Sequence, residues 1–207
     1  MDKKISTIFF DVGNVLVKYD LRIMEDGFLK HCKQKKSVLT DYFQNSDNAK
    51  RYMIGKLNSS QFYAKTRKVL KIDLKYYDFY DIWNSIFVSF PEMEDIVMKI
   101  REKYPDIKMI AVSDMDEAHC EHLMNNYKVV NQMDGYVWSH IAGKRKPNSI
   151  MYNNALKLSG AIAREVFYVD DKENFMKKSR SMGIKSFHFT DYKDFLKQLE
   201  NVGVFLI

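Results

Sequence analysis

Three short apolar runs in this chain stop abruptly at acidic or hydroxyl residues. Each run is rich in β-branched or aromatic residues and is shorter than an ordinary helix, which predicts a buried strand. The runs and the polar residues that follow them are 5–10 with Asp11, 108–112 with Ser113 and Asp114, and 166–169 with Asp170 and Asp171.

Helical patterns separate these predicted strands. Helices are expected over about 92–104, 147–158 and 173–182, and Gly183 is the expected stop of the third. Two further strands are predicted at 136–138 and 186–189. Strands that alternate with helices predict an α/β fold, a Rossmann-like parallel sheet with helices on both faces.

Residues 20–89 break the alternation, because they show helical periodicity and no convincing strand. Capping-box spacing occurs at 58–61 and again at 89–92. We therefore predict a core domain made of residues 1–19 and 90–207, with residues 20–89 inserted as a helical cap domain. One aromatic group is expected to form the interior of this cap rather than a platform for sugar stacking: Tyr76, Tyr77, Phe79, Tyr80 and Trp83.

The net charge of +6 would suit an anionic partner. The basic residues are interleaved with acids, however, and no predicted strand carries the basic and aromatic residues typical of RNA-binding sheets. We predict a solvated surface that attracts small anionic substrates, and no binding of nucleic acid.

Cys32 and Cys120 are the only cysteines, and two unpatterned thiols favour a reduced compartment over a disulfide framework. No stretch of ~18 apolar residues could span a membrane, and the run 5–10 is too short for a signal peptide. A cytoplasmic protein that does not bind membranes is expected. Both a monomer and a homodimer are compatible with the sequence.

The polar residues at the strand ends are expected to converge. In an open parallel sheet the carboxyl ends of the strands line the ligand crevice, which would bring Asp11, Ser113, Asp170 and Asp171 together. Carboxylates this close repel one another unless a divalent cation lies between them, and oxygen ligands favour Mg²⁺ over zinc. A lysine of the basic segment 143–147 could reach the same crevice and offset the charge of a phosphoryl group.

Three other metal-ligating residue types lie close together on a predicted helix, namely His119, Cys120 and His122. Residues three apart share a helix face, a spacing that occurs in zinc sites. No fourth ligand with a suitable spacing is evident, so we expect a surface helix near the mouth of the crevice instead of a structural metal.

Four short motifs follow one another along the chain. They are the run FFDVGNVL at 9–16, then Ser113, then Lys146 with Pro147, and finally Asp170 and Asp171 followed by Asn174. In order and spacing they resemble the motifs of the haloacid dehalogenase superfamily of hydrolases, including a cap inserted between the first and the second. The chain is most similar to bacterial α-glucose-1-phosphate phosphatases, whose cap segments resemble 55–59 and 83–87, and to the phosphatase domain of soluble epoxide hydrolase.

This resemblance implies a role for each motif residue. Asp11 would attack phosphorus and become an aspartyl phosphate, which water then hydrolyses. Mg²⁺ would bind the carboxylates of Asp11 and Asp171 and the carbonyl of Gly13, and Asp170 would reach it through a water molecule. The phosphate-binding set implied by the resemblance is Ser113, Asp114, Lys146 and the backbone near Val12. The family's lysine directly precedes the proline, which favours Lys146 over Lys144.

Two positions depart from the family pattern. Gly13 stands where the first motif commonly carries a second Asp, the general acid and base, although the glucose-1-phosphate phosphatases have the same gap. Asp114 stands where Asn is more common, and its charge would lie near the phosphate unless it points away or is protonated. Asp170 and Asp171 could also simply cap the helix that follows them.

The function predicted from these residues is that of a magnesium-dependent phosphatase acting on a small phosphorylated metabolite, namely a sugar phosphate such as a sugar 1-phosphate. A protein that binds a phosphorylated ligand without turnover is the alternative that Gly13 and Asp114 favour. A 2-haloacid dehalogenase would use the same aspartate but would leave the paired acids at 170 and 171 unexplained.

Overall fold

Five parallel strands form the main sheet in the described part of the chain, and the first strand in sequence lies in its middle. The computed structural model describes residues 5–206, so the ends of the predicted core domain, residues 1–4 and 207, lie outside it. In spatial order the strands are β5 (Gly135–Trp138), β4 (Lys108–Ser113), β1 (Thr7–Phe10), β6 (Val166–Asp170) and β7 (Lys185–His188).

The register of the sheet aligns the strand ends. Phe10 pairs with Ala111 of β4 on one side and with Val169 of β6 on the other. Because all five strands run in the same direction, the residues that follow β1, β4 and β6 emerge at one edge of the sheet. This edge carries Asp11, Ser113 and Asp170.

Helices cover both faces of this sheet, which confirms the predicted α/β architecture. Along β1 the buried side chains alternate, so that Ile8 and Phe10 belong to the larger hydrophobic core and Phe9 to the smaller one. The ten longer helices are α1 (Leu21–Leu29), α2 (Lys36–Asn45), α3 (Asp47–Met53), α4 (Ser59–Leu70), α5 (Tyr76–Asn84), α6 (Pro91–Lys103), α7 (Glu117–Asn126), α9 (Ser149–Ser159), α10 (Glu173–Ser181) and α11 (Tyr192–Asn201), with the short α8 at Ser139–Ala142. Helices α9 and α10 pack on the Phe9 face, and α6 and α11 belong to the other core.

Between β1 and α6 the chain leaves the main sheet and forms helices α1 to α5, which we call the helical insertion (residues 21–84). A two-stranded antiparallel ribbon brackets it, with β2 (Lys18–Tyr19) paired to β3 (Phe87–Val88). The expectation of no strand within 20–89 was therefore wrong at β3. A strand of two residues is too short to show the alternation on which its prediction depends.

Aromatic side chains fill the interior of the helical insertion. Phe62 and Phe79 are fully buried, and Trp83 nearly so. The rings of Tyr52 and Phe62 stack with their centroids 4.3 Å apart. The predicted interior position is thus confirmed for Phe79, Tyr80 and Trp83, whereas Tyr77 is exposed.

Two of the expected helix starts differ in detail. Helix α6 does begin at Pro91, but the residue at its N-cap is Phe90, and Ser89 makes no capping bond. Helix α9 begins at Ser149 and is capped by Asn148, two residues later than expected. The capping box at 58–61 is present. The side chain of Asn58 accepts from the backbone N–H of Gln61, and the side chain of Gln61 accepts from the backbone N–H of Asn58.

Within residues 5–206 no helix combines the length and apolarity needed to cross a membrane.

Contacts with α7 and α8 tie the insertion to the rest of the protein. The Glu117 carboxylate accepts hydrogen bonds from the backbone N–H and the hydroxyl of Ser59, at 2.8 and 2.6 Å. The Ser139 hydroxyl donates to the carbonyl of Met53 at 2.7 Å. Gly55 packs so closely on α8 that a Cβ there would lie 2.1 Å from the carbonyl oxygen of His140.

Gly55→Ala should destabilise the protein more than the same change at Gly160. Both glycines have φ +70°, but a Cβ at Gly160 would meet no atom within 4 Å. The left-handed backbone alone costs an alanine about 1–2 kcal/mol, and crowding against His140 should add about 1–3 kcal/mol at Gly55. Urea unfolding of the two variants measures the difference. Equal free energies of unfolding would show that the Gly55 contact relaxes without cost.

Candidate active site

Asp11 lies at the end of β1 with its carboxylate held in place. Its backbone N–H donates to the carbonyl of Val169 at 2.8 Å, and the residue is only 5% exposed. Its Oδ1 atom accepts from the N–H of Val12 at 2.7 Å and from the hydroxyl of Ser113 at 2.8 Å. The ammonium of Lys146 lies 2.8 Å from the same oxygen. Three donors on one oxygen fix the orientation of the carboxylate.

Lys146 bridges two of the acids at this edge of the sheet. Its side chain is 1% exposed, and its Nζ atom lies 2.6 Å from Oδ2 of Asp170 in addition to its contact with Asp11. Burial opposes the charged form of Lys146, but the carboxylates of Asp11 and Asp170 outweigh it and raise the pKa of the ammonium above its ordinary value. Lys144 is exposed. Of the two lysines left open by the sequence, the structure therefore brings Lys146 to Asp11.

Asp170 is fully buried, and protein donors engage both of its oxygens. Oδ2 accepts from Lys146 and from the hydroxyl of Tyr168, and Oδ1 accepts from the backbone N–H of Lys172 at 2.8 Å. Burial and the nearby charge of Asp11 raise the pKa of Asp170 to about 6, although Lys146 partly offsets them. A raised pKa is expected for a buried carboxyl group that lies close to another carboxylate, because the two negative charges repel each other.

Asp171 differs from Asp170 because one of its oxygens has no protein partner. Oδ2 accepts from the side-chain amide of Asn14 at 3.0 Å, whereas Oδ1 is buried and unpaired. Helix α10 begins beyond both acids, with Lys172 at its N-cap position and no side-chain capping bond. The interpretation of these acids as mere helix caps is therefore wrong.

The three acids are spaced as ligands of a divalent cation. Carboxylate oxygens of Asp11, Asp170 and Asp171 lie within 4.8 Å of one another. The unpaired buried oxygen of Asp171 is an acceptor that a cation would satisfy, and an all-oxygen donor set suits Mg²⁺. These residues fit such an ion.

The carboxylate of Asp114 is hydrogen-bonded to Arg145 and to the backbone of Lys146. Its Oδ2 accepts from the guanidinium of Arg145 at 2.9 Å, and its Oδ1 accepts from the backbone N–H of Lys146 at 2.8 Å. The carboxylate thus orients the loop that carries Lys146, and Arg145 offsets its charge. A direct role of Asp114 in binding phosphate stays a prediction.

Gly13 owes its identity to a close neighbour and not to its backbone conformation. It is not among the residues with positive φ. A Cβ at Gly13 would lie 2.9 Å from two ring carbons of Tyr19, which belongs to β2. The ring of Tyr19 thus occupies the space into which an aspartate side chain at position 13 would have to project.

Two residues that orient these acids were not predicted. Asn14 adopts φ 59°, a conformation that Asn tolerates better than most residues, and this turn directs its amide to Asp171. Tyr168 precedes Asp170 by two residues, so both side chains lie on the same face of β6. The tolerance of Asn for positive φ could have indicated Asn14, and the two-residue period of a strand could have indicated Tyr168.

The helix α7 near the site is more buried than expected. His119 stacks on Trp83 with ring centroids 4.9 Å apart, and its Nδ1 lies 2.8 Å from Oδ2 of the fully buried Asp116. Burial raises the pKa of the Cys120 thiol to about 12, which disfavours the thiolate that a metal would need. The expectation of a surface helix was therefore wrong for His119 and Cys120, because α7 packs against α5 of the insertion.

A cleft of about 410 Å³ opens beside Asp11. Asp11 and Ser113 from the strand ends and Lys146 from the loop before α9 line it. The insertion contributes mostly apolar side chains, with Glu25, Gln44 and Lys50 as its polar members: Leu21, Met24, Glu25, Phe43, Gln44, Ala49, Lys50, Met53 and Trp83. The cleft therefore combines a charged end with a largely apolar wall.

The fold is shared with several solved structures. A haloacid dehalogenase family enzyme from Bacteroides thetaiotaomicron is 20% identical, with a TM-score of 0.82 over 93% of this chain and 98% of that one. A second structure of that enzyme is a complex with magnesium and inorganic phosphate, with a TM-score of 0.80. L-2-haloacid dehalogenase from Xanthobacter autotrophicus is 14% identical, with a TM-score of 0.63 over 97% of this chain and 84% of that one. At these identities the likeness shows the fold alone.

Sequence comparison identifies the family. A search of curated proteins found no match. A family model of haloacid dehalogenase-like hydrolases matches residues 8–189, which is most of the chain and includes all the acids of the site. The chain therefore belongs to the haloacid dehalogenase-like hydrolases.

Proposed function

We propose that the protein is a magnesium-dependent phosphatase that hydrolyses a small phosphorylated metabolite through an aspartyl phosphate on Asp11. The observation that carries this proposal is the arrangement around Asp11. Its carboxylate is oriented by Ser113 and Lys146 and lies beside Asp171, which keeps one buried oxygen unpaired. These residues would supply a nucleophile, two phosphate-binding donors and a cation site within one crevice.

The cation would be held by Asp11, Asp171 and the backbone of Gly13. Both oxygens of Asp170 already accept hydrogen bonds from the protein, which supports an indirect role for it. Bound Mg²⁺ would reduce the repulsion between the carboxylate nucleophile and an anionic phosphoryl group. The Bacteroides relative with magnesium and phosphate adds support at the level of the fold.

The reaction we propose has two steps on the same residue. An oxygen of Asp11 forms a bond to phosphorus while the bond from phosphorus to the leaving-group oxygen breaks, and the leaving group takes up a proton from solvent water. Water then forms a bond to phosphorus, and the aspartyl bond breaks to release phosphate and Asp11. The Ser113 hydroxyl and the Lys146 ammonium bind the phosphoryl oxygens as their charge increases.

The helical insertion would act as the cap of this site. Its apolar wall faces the same cleft as Asp11, and exclusion of water strengthens the electrostatic interactions of a phosphoryl group. The proposed division is a core of residues 1–19 and 90–207 and a cap of residues 20–89.

Screening phosphorylated metabolites in the presence of Mg²⁺ tests this function, with phosphate release as the measurement. Gly13 is the feature that favours a binding protein without turnover, whereas the charge of Asp114 is already offset by Arg145. Tight binding of phosphorylated ligands with no phosphate release would support that alternative. Halide release from 2-haloacids without metal would support a dehalogenase.

Sugar 1-phosphates should be better substrates than sugar 6-phosphates. General acid–base catalysis is typically worth about 10²–10⁴-fold, and Gly13 supplies none. A more acidic leaving group needs less protonation, and an anomeric hydroxyl is more acidic than an ordinary alcohol. In a series of phosphate esters the rate should therefore fall steeply as the pKa of the leaving group rises. Faster hydrolysis of 6-phosphates would contradict the argument.

Gly13→Asp should flatten this dependence only when Tyr19 is also shortened. Alone it would force a side chain to within 2.9 Å of the Tyr19 ring, so we expect loss of activity. Gly13→Asp combined with Tyr19→Ala provides the space, and 6-phosphates should then gain more than 1-phosphates. Tyr19→Ala alone is the control, and the slope of rate against leaving-group pKa is the measurement. An equally steep slope in the double variant would show that position 13 cannot serve as the acid.

A further inference from the structure

Glu25 is a buried acid of the helical insertion that the proposed chemistry does not use. It lies on α1, is 6% exposed, and lines the same cleft as Asp11. A carboxylate in such a position is costly unless hydrogen bonds or a cation compensate it.

The protein compensates Glu25 only in part. Its Oε1 accepts from the hydroxyl of Thr40 at 2.7 Å. The ammonium of Lys36 is 3.8 Å from Oε2, and the same ammonium lies much closer, at 2.6 Å, to Asp26. Within residues 5–206 no donor makes a hydrogen bond to Oε2. The Oε2 atom of this largely buried side chain therefore has acceptor capacity left.

The wall of the cleft that the insertion forms is largely apolar and aromatic. Besides Met24, the neighbour of Glu25 in the chain, it includes Phe43 and Trp83, whose ring centroids lie 5.3 Å apart. Such walls pack well against C–H groups, while a carboxylate among them is an acceptor for hydroxyl groups. A sugar presents both kinds of surface.

A cationic ligand would fit this cleft less well. Arg145 and Lys146 are paired with acids, but Lys50 and Lys172 also line it, and Lys36 already lies near Glu25. A second cation at Glu25 would meet repulsion from these groups, whereas a neutral hydroxyl would not.

We propose that Glu25 determines substrate specificity by accepting hydrogen bonds from the hydroxyl groups of a polyhydroxylated leaving group. This proposal rests on the proposed phosphatase function and adds the part of the cleft that recognises the leaving group. It assigns the charged end of the cleft to the phosphoryl group and the wall formed by the insertion to the sugar.

The test compares a substrate rich in hydroxyls, α-glucose 1-phosphate, with one that has none, acetyl phosphate. The selectivity, the ratio of the two kcat/KM values, should fall about 10–100-fold in Glu25→Ala, because a hydrogen bond to a charged group is lost. The loss should come from KM for the sugar phosphate. Glu25→Gln keeps an acceptor oxygen and should lose less. Asp26→Asn, the neighbouring acid that also pairs with Lys36, is the matched control and should keep the wild-type selectivity.

Calorimetry separates this proposal from the proposed function. Binding of α-glucose 1-phosphate to the Asp11→Asn protein should weaken about 10–100-fold when Glu25→Ala is added. If the wild type releases phosphate from neither compound, the phosphatase proposal fails, and this binding measurement still decides the role of Glu25. Equal losses for both substrates, or unchanged binding, would overturn the specificity role even in an active phosphatase.

Discussion

Asp11→Asn should reduce phosphate release by about 10⁴–10⁶-fold, the range seen when a nucleophile is removed from an enzyme. The change keeps the shape of the side chain and removes its negative charge. The Asn oxygen can still accept from Val12, Ser113 and Lys146, which hold Oδ1 in the wild type. Lys146 also keeps its 2.6 Å contact with Asp170. The fold should therefore survive while the covalent step is lost.

Phosphate release under single-turnover conditions measures this loss, and thermal melting checks the fold. Asp114→Asn is the matched control, because it makes the same change at the end of the neighbouring strand. There the lost charge pairs with Arg145, so we expect a far smaller effect on turnover. Wild-type rates in a preparation of Asp11→Asn free of contaminating phosphatase would end the covalent mechanism.

Removal of Mg²⁺ should abolish activity, and Asp171→Ala should raise the concentration of Mg²⁺ needed for half-maximal rate by more than about 100-fold. The physical reason is the unpaired buried oxygen of Asp171, which makes it the acid most available to a cation. Asp170→Ala should raise that concentration less, by about 10–100-fold, as expected of a residue that supports a ligand. Because Asp170 also holds Lys146, its loss should in addition raise KM for substrate.

Titration of phosphate release with Mg²⁺ after EDTA treatment gives these concentrations directly. Asn14→Ala is a useful companion variant, because it removes the amide that orients Asp171 and leaves all three carboxylates. The Mg²⁺ concentration that Asn14→Ala needs for half-maximal rate should lie between those of the wild type and of Asp171→Ala. Full activity of the EDTA-treated protein would remove the metal from the mechanism. If Asp170→Ala needs a much higher Mg²⁺ concentration than Asp171→Ala, then Asp170 is the direct ligand and Asp171 the supporting residue.

The strand-end residues could be predicted from the sequence because their convergence follows from topology alone. Once residues 5–10, 108–112 and 166–169 are taken as parallel strands, Asp11, Ser113 and Asp170 must emerge at one edge. Local signals worked in the same way at the capping box of α4, where donor and acceptor are three residues apart. The first inference uses only the order of the predicted strands along the chain, and the second uses only a spacing of three residues.

Contacts across large sequence separations could not be predicted in this way. Nothing in the local pattern shows that the Tyr19 ring occupies the space beside Gly13, or that His119 stacks on Trp83. The burial of Glu25 could not be predicted either, because the sequence of α1 does not show which of its acids is packed inside and which is exposed. Ser89 had the right spacing for a cap, but the chain enters α6 with Phe90 at the N-cap position.

The hydrogen bonds between Glu117 and Ser59 connect the helical insertion to the chain segment that orients Asp11. Glu117 opens α7 only four residues after Ser113, whose hydroxyl orients Asp11. A rotation of the helical insertion would pull on this short link at the end of β4 for as long as the hydrogen bonds between Ser59 and Glu117 hold. We therefore expect opening of the cleft to loosen the hold of Ser113 on Asp11, so that product departure and relaxation of the nucleophile occur as one movement.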